Sequence, residues 1–132
     1  VASNNLYHDW DTTAALGRLV AENASRLGRR VAVVGVGGLS GAVFRKSIDI
    51  TKDRIVNAQD DIWNCKVLEL MEAGRHAELM NICPEFVEAA GVEMGFKHFS
   101  FLMGATGGFT SATVHGYGPL YGAGGAVVEF IL

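Results

Sequence analysis

The sequence has little charge, and that shortage excludes several kinds of partner. Charged residues make up 19% of its 132 residues and hydrophobic residues 49%, which is typical of a globular rather than a disordered chain. The net charge of −3 gives no electrostatic reason to expect binding to nucleic acid or to an anionic membrane. Long apolar runs are also missing, because no stretch approaches the ~18–20 residues that a membrane-spanning helix needs.

Cysteine and proline are equally scarce, with two of each. Cys65 and Cys83 have no CxxC spacing, so we expect two reduced, mostly buried thiols rather than a disulfide or a zinc site. The first residues have neither the basic start nor the apolar core of a secretory signal. These features together predict a cytoplasmic protein.

Glycine, in contrast, is abundant, and its most informative cluster lies in residues 30–41, RVAVVGVGGLSG. The apolar run in residues 31–34 is continuous instead of alternating, which predicts a strand over residues 30–36 that is covered on both faces. Gly35, Gly37 and Gly38 then allow backbone angles or close approaches that a Cβ would forbid. Ligands in open α/β folds gather beyond the carboxyl ends of such strands, so this glycine corner is the first candidate site.

Helices are predicted on both sides of this strand. N-cap residue types at positions 11–13 and an apolar stripe at Leu16, Leu19, Val20 and Leu27 predict a helix over residues 12–27 that ends at Gly28. Residues 42–57 are expected to form a loop. Residues 1–7 are expected to be the end of a strand that leads into a polar loop.

A second helical region is predicted to begin at residues 60–61, because the helix dipole stabilises two aspartates in a first turn. Its apolar face is Trp63, Val67, Leu70 and Met71, and Gly74 ends it. Two short helices are expected over residues 75–83 and 85–90, separated by Pro84. Residues 94–105 predict a buried helix, residues 104–122 a glycine-rich loop, and residues 126–132 a closing strand that is paired.

Known chemical motifs are incomplete. The corner fails the dinucleotide fingerprint, because Ser40 stands at the third glycine position and no strand-end carboxylate follows at the required distance. The four histidines lack metal-ligand spacing, and of these His115, in the predicted loop, is the best placed for a site while His98 is expected in the core or an interface. Ser40 also lacks the elbow of a serine nucleophile. From the residues alone, the sequence predicts an α/β domain with a glycine corner and no complete catalytic set.

Three ordered stretches nevertheless carry a family resemblance. VAVVGVGGLSG, DRIVNAQDDIWNCKVLELMEAG and GFKHFSFLMGATGG, followed by GYGPLYGAGGAVVEF, are similar to the class III (LigB-type) extradiol ring-cleavage dioxygenases. The similarity is greatest to the C-terminal half of the α subunits of the two-subunit 2-aminophenol 1,6-dioxygenases. It implies a LigB-like α/β fold with a mixed or parallel central sheet flanked by helices, of which residues 1–132 form the C-terminal part. We accordingly expect the chain to be part of a longer polypeptide.

The same resemblance implies a site that this chain has lost. Catalytic relatives hold Fe(II) with two histidines from the N-terminal half and one glutamate from the C-terminal half, and a further histidine after the corner acts as acid and base. Here Gly41 stands in the place of that histidine, and glycine cannot move a proton. Lys97 stands in the place of the glutamate, and an ammonium group cannot ligate iron. Glu93, one helical turn earlier on the predicted helix, is the alternative ligand.

The resemblance therefore implies a non-catalytic α-type subunit without a cofactor of its own. Its partner would be a catalytic β-type subunit that carries Fe(II). A vestigial pocket is expected from six residues: Gly37, Gly38, Ser40, Gly41, Lys97 and His115. Two alternatives stay open, a catalytically active Fe(II) chain and a small-molecule or nucleotide-binding module that uses the glycine corner.

Overall fold

A computed structural model of the chain describes residue 2, residues 7–41 and residues 47–132. Within these ranges four α-helices precede one pair of antiparallel strands. The elements are α1 (Trp10–Arg26), α2 (Ala58–Glu72), α3 (His76–Ala89), α4 (Lys97–Thr106), β1 (Ser111–Leu120) and β2 (Ala123–Ile131), with 3-10 turns at Ile50–Lys52 and Glu93–Phe96. Helices of the described ranges are all too short or too polar to cross a membrane.

Helix α1 confirms the prediction for residues 12–27, with a start two residues earlier. Its N-cap is Asp9, whose carboxylate accepts a hydrogen bond of 2.7 Å from the amide of Thr12. The predicted buried stripe, however, is wrong. Leu16, Leu19 and Val20 are exposed, and the buried positions of α1 are Thr13 and Gly17.

The reason for this reversed face is the close packing of α1 against α4. A Cβ placed on Gly17 would lie 2.2 Å from the carbonyl oxygen of Phe101, and one on Gly104 would lie 1.9 Å from that of Ala14. The hydroxyl of Ser100, on α4, also donates a 2.7 Å hydrogen bond to the carbonyl of Trp10. Backbones this close leave no room for leucine side chains, so the small-residue side of α1 faces inward and its apolar stripe faces out.

Helix α2 was predicted correctly. Asp60 and Asp61 lie in its first turn, and the four apolar residues of its predicted face are all buried. They contribute to a core that also includes Leu79 and Phe86 of α3 and Phe99 of α4. The two cysteines are free, but Cys65 is exposed and Cys83 is buried, so the expectation of burial holds for one of them.

Helix α3 replaces the two short helices that Pro84 was expected to separate. It runs without a break through Pro84 because Leu79, Cys83 and Phe86 form one buried stripe along it. An internal proline costs ~3 kcal/mol by removing one backbone hydrogen bond and crowding the preceding turn. Burying each large side chain of that stripe stabilises by about 1.5–3 kcal/mol, which is enough to keep the helix in one piece.

The predicted helix over residues 94–105 starts later than expected, at Lys97. Met94, Gly95 and Phe96 before it have positive φ angles of 56°, 60° and 58°, which form a left-handed turn. Such angles are unfavourable for residues with a side chain. Here they place the ring of Phe96 in the core, where it stacks on Phe99 with 4.9 Å between ring centroids.

The glycine-rich stretch, expected to be a loop over residues 104–122, is largely strand β1. It pairs with β2 through a two-residue turn at Tyr121 and Gly122, whose φ angles are 54° and 86°. Positive φ at both turn residues is the geometry that matches the twist of two antiparallel strands. The carboxylate of Asp53 accepts hydrogen bonds from both turn amides, at 2.7 and 2.8 Å, so the turn is fixed from outside the hairpin. The predicted pairing of residues 126–132 is thereby confirmed.

The predicted strand over residues 30–36 is wrong for the described structure, in which these residues join no sheet. Val34 and Val36 are 79% and 83% exposed instead of covered. A strand needs a hydrogen-bonding neighbour, and the described sheet has only β1 and β2, paired with each other and antiparallel rather than parallel. Helices and strands thus combine as expected, while a mixed or parallel central sheet stays a prediction. Predicted loop positions 1, 3–6 and 42–46 lie outside the described residues, and positions 47–57 are irregular apart from one 3-10 turn.

The contact between α1 and α4 makes a testable prediction for Gly104. We expect Gly104→Ala to lower the free energy of unfolding by about 1–3 kcal/mol, since the added methyl must push the two helices apart. Denaturant unfolding measures this change. Gly118→Ala is the matched control, because a Cβ there meets no atom within 4 Å. Equal stability of the two variants would contradict the close helix contact.

Candidate functional site

The glycine corner, residues 35–41, packs against helix α4. A Cβ on Gly37 would lie 2.2 Å from Nδ1 of His98, so only glycine permits this approach. The amide of Leu39 then donates to the carbonyl of Gly124 at 3.0 Å, and the amide of Gly124 donates to the carbonyl of Ser40 at 3.2 Å. Two backbone hydrogen bonds therefore attach the corner to the first residues of β2.

A buried polar group ties the same corner to helix α2. The side-chain amide of Asn64 donates a 2.7 Å hydrogen bond to the hydroxyl of Ser40, and both residues are almost fully buried. Near them the hydroxyl of Tyr117 donates to the carboxylate of Asp61. Burial, together with that hydrogen bond, raises the pKa of Tyr117, so the phenol stays protonated at neutral pH. The side-chain oxygen of Asn64 has no partner among the described residues.

Gly41 closes the corner in a conformation suited to glycine. Its φ is +85°, and its amide donates to the carbonyl of Ala90 at 2.9 Å. A Cβ at this position would lie 3.2 Å from Cα of Ala123 and 3.9 Å from a carboxylate oxygen of Asp60. Position 41 is thus buried between the corner, α2 and the hairpin. Any side chain introduced there would point into a crowded, polar environment.

Lys97 lies elsewhere, at the first position of α4 near the start of α1. Hydrogen bonds from Thr12 hold the pKa of Asp9 below its ordinary value, and the charges of His8 and Lys97 act in the same direction. The positive charge of Lys97 therefore interacts electrostatically with the carboxylate of Asp9, a pairing that could not be identified from the sequence.

His115 is on β1, at the irregularity where the strand register shifts. Its Nε2 lies 2.9 Å from a carboxylate oxygen of Glu129 on the neighbouring strand, and both side chains are half exposed or more. This cross-strand pair accounts for His115 without a ligand. His115 was a candidate site residue because residues 104–122 were predicted to form a loop, whereas His115 lies in strand β1.

An apolar cavity of about 750 Å³ lies beside Gly37 and Gly38 of the corner and does not include Ser40 or Asn64. Its walls come from the second half of α1, residues 31–35 and 37–39, helix α4 and strand β2. Two of the six predicted pocket residues, Gly37 and Gly38, line it, and Ser40, Gly41, Lys97 and His115 do not. The structure therefore distributes the six predicted residues over the cavity, the buried polar group and two surface positions.

His98 is the histidine that lines this cavity, as expected for a core or interface residue. Its ring meets that of Phe96 edge-on, with 4.9 Å between centroids. Burial lowers the pKa of His98 to about 4, so its imidazole is neutral at physiological pH. Cys83 is equally inert, because burial raises the pKa of its thiol to about 12.

The described residues do not fit a bound Fe(II). They contain no group of three or more His, Cys, Asp or Glu side chains that could hold a metal ion. Glu93, the alternative ligand, is exposed and lies at the start of the 3-10 turn before α4. The expectation that it lies one helical turn before Lys97 on the same helix is wrong, because α4 begins only at Lys97.

Sequence reasoning missed the part played by Asn64, Asp61 and Tyr117. One signal was present: Asn64 falls on the same helical face as Asp60, Val67 and Met71, three to four residues apart. A polar residue on an apolar face requires a partner when buried. The partner itself, Ser40, is 24 positions away and could not be identified from spacing.

Comparison with known proteins confirms the predicted resemblance. No protein-family model matches the chain. It is 51% identical, over 131 residues and 98% of its length, to the 2-aminophenol 1,6-dioxygenase alpha subunit of a Pseudomonas species, of which it covers 48%. It is 30% identical, over 122 residues and 89% of its length, to the beta subunit of 2-aminophenol 1,6-dioxygenase from a Pseudomonas species, of which it covers 40%. The chain thus spans about half the length of the curated relatives it matches.

The largely buried position of His98 predicts a loss of stability on mild acidification. The unfolded chain has the ordinary imidazole pKa of 6.5 and binds a proton below it, whereas the folded chain does so only near pH 4. Stability from this residue is therefore complete above pH 6.5 and is lost as the pH falls towards 4, by about 2 kcal/mol at pH 5.

Chemical unfolding of the wild type and of His98→Gln at pH 7 and pH 5 measures this contribution. We expect the stability difference between the two pH values to shrink by about 1–2 kcal/mol in His98→Gln. It should persist in His8→Gln, since His8 is exposed. An unchanged pH dependence in His98→Gln would contradict a buried neutral imidazole.

Proposed function

We propose that the chain is an α-type, non-catalytic subunit of an extradiol ring-cleaving dioxygenase that acts on 2-aminophenol-like or catechol-like aromatics. The observation that carries the proposal is the 51% identity to an alpha subunit across 98% of the chain, against 30% to a beta subunit. The assembly would be cytoplasmic and would degrade aromatic compounds. In it, residues 1–132 form the C-terminal part of one LigB-like domain with a mixed or parallel central sheet.

Absence of acid–base chemistry at position 41 supports a silent subunit. General acid–base catalysis needs a titratable group within hydrogen-bonding reach of the reacting atoms. Gly41 supplies none, and the neighbouring polar groups are committed elsewhere. Asp60 accepts a hydrogen bond from Asn57 at 2.9 Å, and Ser40 accepts one from Asn64.

The absence of a carboxylate at position 97 supports the proposal that this chain holds no Fe(II) of its own. Lys97 offers three N–H donors and no lone pair while it carries its charge. The partner, a β-type subunit, would hold Fe(II), which supplies the binding and activation of dioxygen for ring opening. The contribution of this chain is then to present a folded surface to the partner, held in shape by the hydrogen bonds between the corner, α2 and β2.

Co-expression and metal analysis test this function. We expect the chain, purified alone, to contain far less than one iron per polypeptide and to leave 2-aminophenol uncleaved. Co-expression with a β-type subunit should give a stable hetero-oligomer that holds iron and cleaves 2-aminophenol. Substitution of Lys97 by alanine should change neither the iron content of the isolated chain nor that of the complex.

Two outcomes would favour the other candidate functions. Stoichiometric iron in the isolated chain, lost in Glu93→Ala, would identify an active Fe(II) enzyme. Thermal stabilisation by millimolar NAD or ATP would identify a nucleotide-binding module that uses the glycine corner.

Replacing Gly41 by histidine tests the lost proton-transfer position directly. We expect Gly41→His to lower the free energy of unfolding by about 1–3 kcal/mol, because φ is positive there and the Cβ would press on Ala123. It should not produce ring cleavage by the isolated chain, since the metal site is lacking as well. Gly41→Ala is the control that separates the cost of a Cβ from that of the imidazole. Iron-dependent cleavage by isolated Gly41→His would contradict the proposed function.

A further inference from the structure

The tip of the β hairpin carries an exposed apolar surface. Its four residues, called the tip surface below, are Ile50, Val56, Leu120 and Tyr121, whose exposed fractions lie between 40% and 73%. The two segments that supply them are in contact, because the amide of Val56 donates a 3.1 Å hydrogen bond to the carbonyl of Gly122. None of the four residues lines the apolar cavity, so the tip surface is separate from it.

Hydrogen bonds hold this surface in one shape. The carboxylate of Asp53 accepts bonds from the amides of Tyr121 and Gly122 at 2.7 and 2.8 Å, which ties residues 50–56 to the turn. A Cβ on Gly122 would lie only 3.0 Å from Cγ2 of Val56, so the two segments pack closely as well. A surface that is already ordered loses less conformational entropy when it binds a partner.

Tyr121 is an unusual residue for its place in the turn. Its φ is +54°, at a position where two-residue hairpin turns favour Asn, Asp or Gly. Its phenol makes no hydrogen bond or ring contact within the described ranges, and only its backbone amide is bound, to Asp53. A strained residue without an internal reason points to a functional role. Tyrosine is also enriched at the centre of protein interfaces.

Two glycines beside the tip surface indicate a close neighbour outside the chain. Gly116 and Gly118 lie in β1 on the same side as Leu120, because Tyr117 between them faces Asp61 on α2. A Cβ on either glycine would meet no atom within 4 Å, and neither has a positive φ. No contact among the described residues therefore requires glycine at these positions. Glycine inside a strand weakens it, and it often marks a place where another backbone approaches closely.

We propose that the tip surface, together with Gly116 and Gly118, binds the β-type subunit, and that the partner uses its own corresponding hairpin. The proposal rests on the proposed function and names the surface through which the two subunits meet. Exposed charges of both signs, Asp49, Lys52 and Arg54, lie in the segment that adjoins the tip. A nucleic acid or an anionic membrane would favour cations alone, whereas a protein surface accommodates both signs.

The similarity of the chain to both kinds of subunit supports this choice of partner surface. The chain is 51% identical to an alpha subunit over 98% of its length and 30% identical to a beta subunit over 89%. The two kinds of subunit therefore share most of this region. Related chains can pair about an approximate two-fold axis, which brings the same surface of each together. Charges of both signs suit such a pairing, since a cation of one hairpin can then face an anion of the other.

Substitution of exposed leucines tests where the β-type subunit binds. Dissociation of the co-expressed complex on dilution is followed by the fluorescence anisotropy of a labelled β-type subunit, for Leu120→Asp on the tip surface and for Leu19→Asp on α1. The two leucines are 66% and 54% exposed, so neither change removes a core residue. We expect Leu120→Asp to raise the dissociation constant at least tenfold and Leu19→Asp to leave it within twofold. Equal weakening by both variants would place the interface elsewhere and overturn the proposal.

Two further variants separate binding from folding. Tyr121→Asn introduces a residue that adopts a positive φ readily, so the melting temperature of the isolated chain should stay the same or rise. Gly118→Val adds a β-branched side chain in open space and should not lower it either. Both variants should nevertheless raise the dissociation constant at least tenfold, which a purely internal role of these residues does not predict. Unchanged binding by both, or weaker binding that accompanies a lower melting temperature, would overturn the proposal.

The same change on the other side of the interface tests the partner's surface. An aspartate at the position of the β-type subunit that aligns with Leu120 should also raise the dissociation constant at least tenfold. An unaffected complex would show that the partner binds with another surface. A concentration-dependent mass of the isolated chain that falls to the monomer in Leu120→Asp would assign the tip surface to a second copy. Either of these two results would overturn the proposal.

Failure of this interface and failure of the proposed function give different results. A stable complex that holds iron and cleaves 2-aminophenol, yet is insensitive to every tip variant, would remove the interface and leave the proposed function standing. Absence of any complex on co-expression would overturn both.

Discussion

The attachment of the glycine corner to Gly124 is the constraint on which the candidate site depends. Two backbone hydrogen bonds connect residues 39 and 40 to the start of β2, and the buried bond from Asn64 connects Ser40 to α2. Three elements that are distant in the sequence thereby meet at one point. Position 41 is enclosed because it follows that point directly. The cavity exists because the chain before that point departs from β2.

This arrangement is compatible with the proposed loss of a proton-transfer group at position 41. The residues that determine the shape of the corner are glycines, Ser40 and Asn64, and their contacts are structural. Gly37 allows the close approach to His98, and the bond from Asn64 satisfies a buried hydroxyl. The proposed replacement of a catalytic side chain at position 41 by glycine would remove no contact of this kind. It introduces a residue that suits a φ of +85°.

Buried and exposed apolar residues are divided unusually in this chain. Val67, Leu79, Phe86 and Phe99 in the core are almost fully buried, yet α1, residues 31–36 and the outer strand positions expose large apolar side chains. Isolated exposed residues of this type are common, but a continuous set that lines a cavity marks a contact surface.

Local signals in the sequence were enough for much of the helical structure. Gly28 ends α1, Gly74 ends α2, and the spacing of Trp63, Val67 and Met71 identifies the buried face of α2, because helix ends and helical periodicity are properties of neighbouring residues. The N-caps, Asp9 and Asn57, lie two to four residues before the predicted helix starts. The proposed departures from the family pattern at Gly41 and Lys97 also need no structure, since they depend only on which residue stands at a position.

Tertiary structure decided what depends on distant partners. The continuity of α3 through Pro84 follows from a stripe of core contacts, and the hairpin at Tyr121 and Gly122 from the capping of its turn by Asp53, 68 and 69 positions earlier. Residues 31–36 have the continuous apolar, β-branched pattern of a buried strand, but they form no strand in the described structure. A strand exists only when a neighbouring strand shares its hydrogen bonds. The sequence by itself determined which segments could be helix or strand and which residues stand at positions 41 and 97. Only the fold decided which surfaces those segments cover, since burial and strand pairing are properties of two segments rather than of one.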